Sequence, residues 1–197
     1  MTEGNKLPSR LDNPIDVVLL RATASALPAF RATGHTPNML TTYSFLAGLG
    51  AVAALWCGNA PAFAAAYTTS YVFDCIDGQF ARRYGMTSRF GDLYDHITDM
   101  LVNLLLIAVV AWKYRHAVGV LDVSAMVVVI ALVQVHMGCQ QRYRTAATDE
   151  ETLDTLEELC PGRAAMQWTR YCGCGTLALA VVLYGVFLVR GERKTTP

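Results

Sequence analysis

Between Asp74 and Asp99 the chain places five aspartates, Asp74, Asp77, Asp92, Asp95 and Asp99, in a stretch flanked by long apolar runs. An aspartate at the centre of a membrane helix costs about 2.5–3.5 kcal/mol on insertion scales, so a group of them offsets much of a helix's apolar gain. Residues three and four apart share a helix face. Asp74, Asp77, Gly78, Ala81 and Arg82 therefore form one stripe, Asp92, Asp95 and Asp99 form a second, and the short segment from Tyr84 to Gly91 brings the two together. Two carboxylates about 4 Å apart repel by about 4 kcal/mol at an effective dielectric of 20, so four of them stay ionised only beside cations. Oxygen-only donors suit hard ions such as Mg²⁺ or Mn²⁺, and a carboxylate bridging two ions suits phosphoryl transfer. Gly78 and Ala81 leave a helix face open to a phosphate, which Arg82 can hold with its planar fork.

The elements that must position these groups are membrane helices. The chain has 197 residues, 53% of them hydrophobic, and its charge falls into short clusters separated by uncharged runs. Mean hydropathy is +0.31. This is the composition of a multi-pass membrane protein. Zero net charge and the lack of a basic, aromatic-interleaved stripe exclude a nucleic-acid partner. The six cysteines, Cys57, Cys75, Cys139, Cys160, Cys172 and Cys174, form no C-x-x-C pair and read as buried free thiols. Charges at Lys6, Arg10, Asp12, Asp16 and Arg21 leave no clean apolar core for a secretory signal in the first thirty residues, so insertion is expected to rely on internal helices.

Five spans are expected: Asn38 to Cys57, Ala62 to about Arg83, Asp92 to Trp112, Val123 to Gln141 and Tyr171 to Val189. The turn Gly58-Asn59-Ala60-Pro61 separates the first two. Asn13-Pro14 reads as an N-cap with proline at the first helical position, opening an amphipathic helix that lies on the membrane surface. The acid-rich segment Thr148 to Cys160 reads as a solvated loop helix. The fold class is thus all-α, an integral membrane bundle of five to six transmembrane helices plus an N-terminal interfacial helix. Residues 1–34 form the tail and interfacial helix, 35–190 the membrane domain and 191–197 a C-terminal tail. With the N-terminus inside, eleven Lys and Arg fall on the inner side and five, Lys113, Arg115, Arg190, Arg193 and Lys194, outside. That bias puts the aspartates at the cytoplasmic face.

The pattern Asp74-x-x-Asp77-Gly78-x-x-Ala81-Arg82, eight residues, Gly91-x-x-x-Asp95-x-x-x-Asp99 resembles the signature of the CDP-alcohol phosphatidyltransferases at every defined position. Thr36-Pro37-Asn38 with Thr41 is similar to the segment lining that family's cytidine pocket. The resemblance implies two ions, Mg²⁺ or Mn²⁺, on Asp74, Asp77 and Asp95, with Asp99 touching the second ion and acting as general base. It implies that Gly78, Arg82 and Ser88, with Asn38 and Thr41, contact the CDP moiety. It further implies a CDP-activated lipid or aminoalcohol donor, an alcohol acceptor, a lipid product with release of CMP, and a homodimer. The protein would then be a multi-pass enzyme of phospholipid synthesis in the endoplasmic reticulum or a bacterial inner membrane.

Two rival readings of the same acids are a divalent-cation transporter and an inactive membrane scaffold. The first lacks matching acids midway along the other spans, and the second sits poorly with an intact set of aspartates and Arg82. Outside the signature, Asp92 reads as a helix cap or solvent contact. His96 divides evenly between packing and the Asp-His pair of the choline and ethanolamine branch, and His136 reads as a core or headgroup histidine. Arg142, Arg144 and Arg170 read as interfacial anchors or collectors of phosphate.

Overall fold

The computed structural model describes residues 4–144 and 152–195. Every regular element in it is helical: α1 (Pro14–Thr23), α2 (Leu27–Ala32), α3 (Pro37–Trp56), α4 (Ala60–Tyr84), α5 (Arg89–Lys113), α6 (Val120–Arg142), the four-residue α7 (Met166–Thr169) and α8 (Cys174–Thr195). A 3-10 segment, Asp154–Leu159, lies between α6 and α7.

The long helices begin where the sequence supplies caps. Thr36, Asn59 and Ser88 each accept a backbone N–H from the first turn of α3, α4 and α5, and Pro37 and Pro61 occupy first-turn positions that need no donor. α4 stops at Gly85, whose φ of 62° only glycine adopts without strain, and this left-handed residue turns the chain toward α5.

α3 and α4 form an antiparallel pair, α5 also packs on α3, and α8 packs on α4. Ala51, Leu55, Phe63, Val102, Leu106, Val109 and Leu188 close the core where these four helices meet. Deeper polar contacts fix the register of the first pair: Ser44 Oγ donates to Ser70 O at 2.9 Å and Ser70 Oγ donates to Ser44 O at 2.9 Å. Because α4 and α5 both lean on α3, their signature ends face one another across a space.

Among the described residues, four stretches are long and apolar enough to cross a membrane, within α3, α5, α6 and the region ending in α8. α4 has the length, but Thr68, Thr69, Ser70 and its aspartates make it less apolar. The chain is an all-α integral membrane protein.

α1 is capped by Asn13 as expected, and one of its faces packs on the bundle. Asp16, Val17 and Leu20 are buried where it packs on α4 and α8, and Asn13 Nδ2 donates to Arg170 O at 2.7 Å and Thr176 Oγ1 at 2.8 Å.

The reading of all six cysteines as free thiols is corrected. Cys139 on α6 and Cys160 after the 3-10 segment form a disulfide, while Cys57, Cys75, Cys172 and Cys174 are free and Cys57 is exposed. The pair is 21 residues apart, a spacing that carries no local signal.

The acid-rich segment is likewise more than a solvated helix: Asp154–Leu159 packs on α6. At Gly138 the two backbones are in contact, and a Cβ there would overlap the Leu156 carbonyl. Gln141 Nε2 donates to Asp154 Oδ1 at 2.7 Å, and Arg144 pairs with the same oxygen at 3.4 Å. Asp149, Glu150 and Glu151 lie outside the described residues.

Candidate active site at the α4–α5 junction

Helical geometry brings the acids together as their spacing requires. Asp74, on α4, and Asp95 and Asp99, one turn apart on α5, each offer a carboxylate oxygen within 4.8 Å of the others. They line a cavity of about 260 Å³ whose wall also includes Asp77, Gly78, Arg82, Asn38, Thr41 and Ser88, so all the expected site residues meet in one place. The donors are all carboxylate oxygens, converging from two helices. This set fits a hard divalent ion.

Asp77 differs from its partners. It is buried, and its Oδ2 accepts a 2.6 Å hydrogen bond from Thr41 Oγ1, which ties α4 to α3 beneath the site. The Arg82 guanidinium folds back over Gly78, where a Cβ would come within 3.1 Å of it, and its Nε donates to Gly4 O at 2.9 Å. Ser88 Oγ accepts from Gly91 N at 3.0 Å, and Asn38 Oδ1 sits 3.1 Å from the position a Gly91 Cβ would take. Gly91 thus leaves room for these two polar side chains at the cavity rim.

Asp92 is half-buried and is not the cap of α5. Ser88 caps the helix, and Asp92 Oδ2 accepts from both the backbone N, at 2.9 Å, and the hydroxyl of Thr152. That contact holds the acid-rich segment at the cavity mouth, where Leu153 joins the lining. His96 lines the same cavity. His136 is fully buried with Nδ1 3.2 Å from Thr169 Oγ1, in keeping with a core role. Arg170 is committed to backbone carbonyls of Ser9 and Arg10.

The sequence reading missed two acids beside the site. Asp12 Oδ1 accepts from Asn13 N and from Gln140 Nε2, both at 2.9 Å, and Asp16 Oδ1 accepts from Tyr71 OH at 2.5 Å. Both line the cavity from α1 and the residues ahead of it. Their one available signal was charge on an otherwise apolar helix face.

Burial raises the Asp16 carboxyl to about 6, partly offset by the Tyr71 hydrogen bond, with the Asp12 charge raising it further. A carboxyl whose folded value lies above the unfolded one costs the fold stability when it ionises. The stability present below about pH 4 is therefore lost as pH rises through 6, by at most about 3 kcal/mol. Asp16→Asn is expected to melt with the parent at pH 4 and above it at pH 7, measured as Tm in detergent.

Residues 34–153 match the CDP-alcohol phosphatidyltransferase family, and the chain belongs to it. It is similar to a CDP-diacylglycerol–inositol 3-phosphatidyltransferase of Arabidopsis thaliana, 29% identical over 92 residues, 47% of this chain and 40% of that protein. It is also similar to a CDP-diacylglycerol–glycerol-3-phosphate 3-phosphatidyltransferase of Mycoplasma pneumoniae, 39% identical over 51 residues, 25% of this chain and 22% of that one. The chain thus spans less than half the length of these curated relatives. No solved structure matches it. The family uses divalent metals, and the Asp74, Asp95 and Asp99 group is where this chain could hold one.

Proposed function

We propose that this chain moves a substituted phosphate from a CDP-alcohol to an alcohol acceptor, releasing CMP. The observation that carries it is the meeting, in one cavity, of three converging carboxylates with Arg82, the open face at Gly78, and the Asn38–Thr41 start of α3. Asp74, Asp77, Asp95 and Asp99 would hold two divalent ions, Mg²⁺ or Mn²⁺. Bound there, they would neutralise the diphosphate and acidify an acceptor hydroxyl.

The remaining steps belong to the chain's own side chains. Arg82, freed from its rest position over Gly78, grips diphosphate oxygens, and Asn38, Thr41 and Ser88 position the cytidine end. Thr41 holds Asp77 in place through its hydroxyl. Asp99 takes the proton from the acceptor hydroxyl as its oxygen attacks the β-phosphorus. The bond between that phosphorus and the oxygen of CMP breaks, and CMP leaves. His96, which lines the cavity beside Asp95, would face bound substrate.

The relatives' names carry an uncharged acceptor in one case and a phosphorylated one in the other, so they do not choose between them. Residues 35–190 carry the activity, and the active face is cytoplasmic by the distribution of Lys and Arg. Purified chain in vesicles of known sidedness is expected to release CMP from added CDP-alcohol only when the aspartate face is outward and Mg²⁺ or Mn²⁺ is present. Metal-independent release would sink the two-ion reading. Release from the opposite face would overturn the orientation.

A further inference from the structure

A second cavity, about 490 Å³, lies on the other side of Asp74 and Asp99. Its walls come from α4, α5, α6, α8 and the segment around Leu153–Leu156. We propose that this cavity receives the acceptor and is built for an uncharged alcohol, not a phosphorylated one; this rests on the reading of the first cavity as the CDP site.

The charge distribution separates the two spaces. Lys6 and Arg82 face the first cavity, where a diphosphate needs them. The described residues lining the second include no lysine or arginine, and its ionisable lining is His96, Cys174, Asp74, Asp99 and the tyrosines Tyr67 and Tyr71. From the segment between α6 and α7, Thr152, Leu153, Thr155 and Leu156 line this cavity, and none of them is charged. A phosphate dianion entering here would lose its water and find no lysine or arginine among the described lining residues to replace it. That segment thereby supplies an uncharged wall with no group to pair an anionic acceptor.

The polar groups that remain are suited to hydroxyls. Most are already engaged: Ser44 and Ser70 bond each other's carbonyls, Tyr71 donates to Asp16, and Asn103 Nδ2 donates to Asp99 O. Gln134 and Tyr67 are different. Gln134 is the one strongly polar side chain in the otherwise apolar run Val127–Val135 of α6, and it is half-buried against the cavity. Neither it nor the Tyr67 hydroxyl on the facing wall has a hydrogen-bond partner among the described residues. A polar amide in a membrane helix without a protein partner is costly unless something else satisfies it, and an acceptor bearing hydroxyls would.

The test uses the full chain in lipid nanodiscs with Mg²⁺. Labelled CDP-diacylglycerol is offered inositol or glycerol against inositol phosphate or glycerol phosphate, and labelled CDP-choline is offered diacylglycerol. At least one uncharged alcohol is expected to give product with kcat/KM about 100-fold or more above its phosphorylated counterpart. Gln134→Leu is expected to raise the KM of that acceptor about tenfold while leaving the donor KM unchanged. Tyr67→Phe, which keeps the ring stacked on Phe63, reads the same hydroxyl contact if the first variant does not fold. Equal or better use of a phosphorylated acceptor, or donor and acceptor KM values that move together in both variants, would overturn the proposal and leave the CDP reading standing. Absence of donor cleavage with every acceptor would overturn both.

Discussion

Asp99→Asn will lower CMP release by about 10³-fold or more and, in the presence of EDTA, will raise the melting temperature. The two effects have one cause. Asp74, Asp95 and Asp99 hold oxygens within 4.8 Å of one another, and at an effective dielectric of 20 each such pair of charges repels by about 3–4 kcal/mol. Replacing one carboxylate by an amide of the same shape removes two of these repulsions, and Tm shifts by about 2–4 °C per kcal/mol for a chain of this size. Loss of a general base alone costs about 10²–10⁴ in rate, and Asn also weakens the donor set for the ions. The parent should gain stability on adding Mg²⁺ or Mn²⁺, and the variant should gain less. Thermal shift assays with and without chelator, beside a CMP-release assay, check all of this. An Asn variant that melts below the parent in EDTA, or one that keeps its rate, would show that the acids are not a strained, metal-ready cluster.

That cluster was legible from the sequence because its determinants are local. The i, i+3 and i, i+4 spacings within α4 and α5 oblige the acids to share faces, and Ser88, Gly85 and the short connection between them oblige those faces to meet. The same holds for helix starts at Thr36-Pro37 and Asn59, where cap and proline sit within four residues of each other. What escaped the sequence depends on partners distant along the chain. Asp92 reads as a cap until Thr152, 60 residues on, is found bonded to it. Asp16 is one more charge on an amphipathic helix until Tyr71 and Asp12 appear beside it. Cys139 and Cys160 have the spacing of unrelated thiols, and no pattern of period 3.6 or 2 relates residues on opposite sides of a loop. The span count has a different origin. α4 needs polar and acidic residues to build the site, and those same residues weaken its apolar signal.

Gly138→Val will loosen the acid-rich segment and with it the choice of acceptor, more than it will impair the chemistry. At this position α6 and the 3-10 segment touch backbone to backbone, so any Cβ displaces the Leu156 carbonyl. The neighbouring ties, the Cys139–Cys160 disulfide and the Gln141–Asp154 hydrogen bond, are built on the same close approach. Overpacking of this kind costs about 1–3 kcal/mol, a Tm loss of several degrees. Shifting the segment also pulls Thr152 from Asp92 and moves Leu153, which lines both cavities. Asp74, Asp95 and Asp99 sit on α4 and α5 and keep their mutual geometry. The expected pattern is a lower Tm, a narrowed gap between uncharged and phosphorylated acceptors, and a donor KM within about threefold of the parent, since a group outside the nucleotide wall contributes little to donor binding. The paired variant Cys139→Ala with Cys160→Ala should show the same direction with the Gly138 contact intact, because a disulfide closing a loop of this length contributes about 3 kcal/mol. This comparison also bears on the membrane face. The bond lies at the end of the bundle proposed to face the cytoplasm, a compartment that keeps accessible thiols reduced, and Cys139 and Cys160 are 0% and 5% exposed. Thiol titration of protein isolated without oxidant should find the pair blocked; two reactive thiols there would leave Gly138 and Asp92 as the fastenings that remain.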